Sequence, residues 1–197
     1  MKHILPLIAM TTLILGTVAC KKERPPVTKE TAIIGSEWYH PVTDSENHWT
    51  RYFGDQTGKD PYYRTDMFAP DITTDVMNNS VVLIYAKLRG YDELVWPIDY
   101  VGLLPTAVYL SSFQNSEDQW SIGLSSGNIS IRLKNSLNNY PVNGPDARHE
   151  FRYIIVPKNS NVTGQKPVTS NPLGQYSEDE LRSLPYDEVC RMAGLDE

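Results

Sequence analysis

The chain is poor in cysteine, in histidine and in basic charge, and each shortage removes a class of function. Its two cysteines, Cys20 and Cys190, allow at most one bridge, conceivable only if Cys20 is unmodified, and that is no disulfide framework, so stability must come from packing. Its histidines, His40, His48 and His149 beyond the N-terminal His3, lack the His-x-His and His-Glu-x-x-His spacings that aim two imidazoles at one metal. No metal and no cofactor is expected. Lys and Arg number 18 against 24 Asp and Glu, a net charge of −6. Nucleic-acid partners are thereby disfavoured, because phosphate neutralisation needs clustered cations. Internal repeats of useful length are also missing, as is any apolar run of the roughly 20 residues a spanning helix requires.

The apolar run that does exist, Ile4 to Val18, follows Lys2-His3 and closes in Thr17-Val18-Ala19-Cys20. It is short, carries Pro6 and Gly16, and ends at Lys21-Lys22. This pattern resembles a bacterial lipoprotein signal, in which the cysteine is acylated and becomes the new N-terminus. An ordinary secretory signal cleaved at the same bond is the rival, since Thr17-x-Ala19 satisfies the small-x-small rule. The expected organisation is a signal peptide over 1–19 and a polar, Pro-containing lipidated tether over 20–32. A β-rich body over 33–158 and a loop with a short helical tail over 159–197 follow. Lipid on Cys20 makes the membrane a partner, because several acyl chains anchor stably where one does not.

The body reads as short β-branched and aromatic runs broken by turn residues. Strands are expected over Ile33–Tyr39, Trp49–Phe53, Tyr62–Ala69, Val81–Leu88, Thr106–Phe113 and Phe151–Pro157, with Leu94-Val95-Trp96 a continuation of the sheet. One helical turn capped at Asp71 is expected before Asn78-Asn79-Ser80, and Pro97 and Pro105 bracket an irregular segment. Val81 to Tyr85 is apolar at both parities, which requires cover on both faces of that strand. A hairpin joins Trp120, Ile122 and Leu124 to Ile129, Ile131 and Leu133. Its turn sits either on Ser126-Gly127 or on Gly127-Asn128, and both registers keep the apolar residues on one face. In the tail, Ser177 and Glu180 match a capping box, and Gly194 is placed to end a second short helix. The fold class is mainly β: a single antiparallel β-sandwich of about seven or eight strands with short C-terminal helices.

Catalytic motifs are thin. Ile122-Gly123-Leu124-Ser125-Ser126-Gly127 imitates a nucleophile elbow but lies on a hairpin. Cys190 sits among Val189, Met192 and Leu195, as a buried structural thiol does. The oxygen-rich stretches Asp44-Ser45-Glu46-Asn47 and Asp55-x-x-Gly58-x-Asp60 lack the full calcium-loop pattern and are explained by turn chemistry. Aromatic residues are the best lead, being concentrated in the first half of the chain. Trp49, Tyr52 and Tyr63 form the candidate ligand surface, set against the ordinary use of aromatics in sandwich cores. Strand parity puts Trp49 and Tyr52 on opposite faces, so one of them should be partly exposed.

The signal ending Ala19-Cys20, the strand Val81-Val82-Leu83-Ile84-Tyr85, the strand Phe151-Arg152-Tyr153-Ile154-Ile155-Val156-Pro157 and the tail Leu184-Pro185-Tyr186-Asp187-Glu188-Val189 together resemble small uncharacterised exported lipoproteins of Bacteroidota-type bacteria. That resemblance implies a β-rich, non-enzymatic envelope protein anchored to the outer membrane, with no site residues to carry over. Lys21-Lys22 precede Glu23, leaving the periplasmic and cell-surface faces both open. The expected function is a structural or protein-interaction module with an envelope protein as partner. Alternatives are a glycan-binding sandwich using the early aromatics and a hydrolase with an unrecognised site.

Overall fold

The computed structural model describes residues 32–43, 46–53, 61–111, 116–135, 148–158 and 171–196. The expected signal peptide, Cys20, the tether up to residue 31, and the oxygen-rich positions 44–45 and 55–60 lie outside the described residues.

Two antiparallel sheets form the body. One takes the order β1-β9-β4-β5, from β1 (Ile34–Gly35), β9 (Glu150–Pro157), β4 (Ser80–Lys87) and β5 (Gly102–Leu104). The other runs β2-β3-β8-β7-β6, from β2 (Thr50–Tyr52), β3 (Tyr62–Ala69), β8 (Gly127–Asn135), β7 (Ser116–Ser125) and β6 (Thr106–Ser111). Their facing residues make one core. Val82, Ile84, Ala86, Leu104, Phe151, Tyr153 and Ile155 come from the four-stranded sheet. Tyr63, Met67, Val108, Trp120, Ile129, Ile131 and Leu133 come from the five-stranded sheet.

The opposite face of the four-stranded sheet is also covered. Val81, Leu83, Tyr85, Ile154 and Val156 pack against Leu173, Leu181, Tyr186, Val189 and Cys190 of the C-terminal segment. This second layer is why β4 is apolar at both parities: it is the only way to keep Leu83 and Ile84, on opposite faces, fully buried. The cover consists of a 3-10 turn (Pro172–Gln175), α2 (Glu178–Ser183) and α3 (Tyr186–Ala193). The capping box forms, with Glu180 N–H donating to Ser177 Oγ at 3.3 Å and Ser177 N–H donating to Glu180 Oε2 at 2.7 Å. Gly194, at φ 68°, ends α3 in the left-handed conformation that glycine adopts at low cost.

The β7–β8 register pairs Leu124 with Ile129, Ile122 with Ile131 and Trp120 with Leu133, which centres the turn on Ser126-Gly127. Gly127 has φ 78° and donates its N–H to Ile72 C=O at 2.7 Å, so the turn is also held from the loop after β3.

Several expectations need correction. Leu94-Val95-Trp96 forms turns, because the Asp92 carboxylate and carbonyl accept from the amides of Leu94, Val95 and Trp96. The irregular segment before Pro105 instead supplies β5. The run from Ile33 to Tyr39 gives a two-residue β1 and an isolated bridge at Tyr39. Helix α1 (Thr74–Asn79) is capped by Thr73, whose hydroxyl accepts from Val76 N–H, while Asp71 accepts from Tyr153 O–H at 2.8 Å.

Candidate functional site

The sequence-derived aromatic surface does not assemble. Trp49 is 7% and Tyr63 5% exposed, both in the core, and Tyr52 alone stands outside at 37%. Trp49 packs edge-on against Trp120, His149 and Phe151. Tyr52 is stacked on Tyr62 at 5.4 Å between centroids. The Arg64 guanidinium lies over Tyr52 and that of Arg132 over Tyr62. Arginine and the neighbouring ring already occupy the π surface that a sugar ring would need.

His149, His48 and Asp66 are likewise engaged. His149 is 2% exposed, its ring lies 4.8 Å from that of Trp120, and its Nδ1 accepts from Arg89 N–H at 3.0 Å. Burial, with the nearby Arg89 charge, pushes its pKa down to about 3. His48 pairs with Glu46 at 3.1 Å. Burial raises the Asp66 carboxyl, yet hydrogen bonds from Ser130, Arg64 and Asn128 outweigh it and hold the group below the ordinary range. No group of three or more His, Cys, Asp or Glu able to hold a metal occurs among the described residues. No described helix is long and apolar enough to cross a membrane.

A groove of about 750 Å³ lies where the helical cover meets the edge of the four-stranded sheet. Its floor is the outward face of β4 and β5, with Tyr85 and Lys87 from one and Leu103 from the other. Arg89, just past β4, donates to the Ile98 carbonyl and so ties the floor to the 92–101 loop, whose residues 98–101 make one wall. The other wall is the α2–α3 junction, residues 182–187, where Leu184 and Pro185 break the helical path. The rim on the loop side is apolar at Ile98, 57% exposed, and Tyr100, 51%; earlier in the same loop Leu94 is 97% and Val95 42% exposed. Trp96 turns inward beneath them, 7% exposed, with its ring 4.8 Å from that of Tyr100.

Charge in the groove is organised by depth. Lys87 and Arg89 both pair with Glu150, at 3.9 and 3.0 Å, and Arg182 pairs with Glu178 at 2.9 Å. Two cations therefore share one carboxylate on the floor side. The acids of the lining, Asp99 and Asp187, are exposed. Sequence reasoning missed this site because its parts come from positions 85–103 and 182–187, which only the fold brings together.

No protein-family model matches the chain, and no curated protein or solved structure matches it either.

Proposed function

We propose that the protein is a non-catalytic lipoprotein of the bacterial outer membrane, anchored through Cys20, whose body is a protein-interaction module receiving its partner in the groove beside α3. The observation that carries this reading is the apolar rim. Ile98 and Tyr100 line a concave, partly charged surface and face solvent, and Leu94 and Val95 are exposed a few residues earlier in the same loop. Isolated exposed apolar residues are ordinary, but a cluster beside a cavity is the composition of an interface centre. Catalysis has less support: His149 is buried and neutral, and the Asp66 and Glu150 carboxylates are taken by donors and cations. Glycan capture through the early aromatics loses its footing with Trp49 and Tyr63 in the core.

The test is site-directed photocrosslinking in intact cells. A photoreactive amino acid at Ile98 is expected to give one discrete adduct, and the same probe at Phe68, exposed on β3, none. Failure of the Ile98 probe to crosslink, or identical adducts from both positions, would remove the support for the groove as the interface.

A further inference from the structure

Two features of the groove go unused by apolar contact. Helix α3 opens onto it with Pro185 at the N-cap, which supplies no side-chain acceptor. The Pro185 carbonyl takes the Val189 N–H at 3.1 Å, and the amides of Tyr186, Asp187 and Glu188 have no acceptor among the described residues. A helix start in this condition carries partial positive charge and aligned donors. Independently, Tyr85 on the groove floor is 1% exposed, and its hydroxyl has no hydrogen-bond partner among the described residues. Its ring packs 4.9 Å from that of Tyr186, the first residue of α3, and burial keeps the phenol protonated, a donor without an acceptor. Around these donors lie the side chains of Lys87, Arg89 and Arg182, only 24%, 28% and 32% exposed. Glu150 neutralises one of the first two and leaves the other in excess. Asp99 and Asp187 lie toward solvent, where water and salt screen them most strongly. Asp187, in the first helical turn, is itself favourably placed against the dipole.

We propose that the groove binds a carboxylate, presented by an otherwise apolar polypeptide segment, at the N-terminus of α3. The carboxylate oxygens accept from the α3 amides and from the Tyr85 hydroxyl, and the flanking apolar side chains lie on Ile98 and Tyr100. This inference rests on the protein-interaction reading and adds the chemistry by which the partner is recognised.

Three short peptides test it by amide NMR of the labelled protein. N-acetyl-Leu-Leu-Phe carries a terminal carboxylate, N-acetyl-Leu-Glu-Phe-amide a side-chain carboxylate, and N-acetyl-Leu-Leu-Phe-amide none. The acids are expected to shift the amides of Tyr186, Asp187 and Glu188 and the neutral peptide to leave them in place; the tighter acid identifies the source. Tyr85→Phe should weaken acid binding by about ten- to a hundredfold, the usual worth of a hydrogen bond to a charged acceptor. The same variant should keep or raise the melting temperature, because an unpartnered buried hydroxyl is removed. Equal shifts with the neutral peptide, no shift with either acid, saturation by inorganic phosphate alone, or undiminished acid binding by Tyr85→Phe would each overturn the assignment. An Ile98 crosslink that survives such a result leaves the interface standing and removes only its carboxylate chemistry.

Discussion

His149 shows how far a residue's role can stand from its type. Histidine in a chain with few of them invites a catalytic or metal reading, yet this one is walled by Trp49, Trp120 and Phe151 and serves as an acceptor for Arg89 N–H. Its folded pKa of about 3 lies below the ordinary value of roughly 6.5. The sign follows directly: between those values the unfolded chain binds a proton that the folded chain refuses. The stability His149 contributes is therefore complete above about pH 6.5 and falls by about 1.4 kcal/mol per unit as the medium is acidified toward pH ~3. The expected observation is an imidazole resonance that stays flat from about pH 8 to about pH 5, with urea-unfolding free energies that decline below about pH 6.5. A His149 resonance titrating near neutrality would contradict the buried placement. At this scale the sequence was half legible. Strand parity correctly required either Trp49 or Tyr52 to be exposed, and the structure chooses Tyr52. Asp71 was not legible, because its partner Tyr153 is far along the chain and a local cap was the nearer explanation.

Elements were legible where they were long and periodic. The range of β3 matches the expectation, and the double-faced apolarity of β4 already demanded a second covering layer. Strands β1 and β5, of two and three residues, are too short for a period-two pattern to register. The hairpin register needed the positive φ of Gly127 and its bond to Ile72, neither visible in alternation alone. The helical cover is held chiefly by a few side chains, among them Leu181 of α2 at 1% exposure. Leu181→Ala is expected to cost about 2–5 kcal/mol by the usual loss for a buried leucine. Urea unfolding reads the total, and hydrogen exchange locates it: amides of α2 and α3 should lose protection before those of β4 and β9. Uniform loss across both sheets would mean that the cover is not a separable layer.

For the whole molecule, the three layers explain why the groove exists. The helices cover the β9–β4 side of the sheet, and the groove opens toward β5, where helical cover and the 92–101 loop fail to meet. The proposed anchor gives that surface a context. Residues 20–32 reach at most about 45 Å when fully extended, so a body tied to lipid at Cys20 stays within one domain diameter of the membrane and meets partners held in the same envelope. Anchoring of the proposed kind draws on acyl chains, at ~0.8 kcal/mol per buried methylene. Cys20→Ser is therefore expected to move the protein from the membrane fraction to the soluble fraction and to abolish the acyl mass on the mature N-terminus. The Ile98 crosslink should weaken at the same time, because the body is no longer concentrated at the membrane. A Cys20→Ser protein that stays with the membrane would assign retention to the body itself, and an unmodified Cys20 in the wild type would return the signal to ordinary secretion.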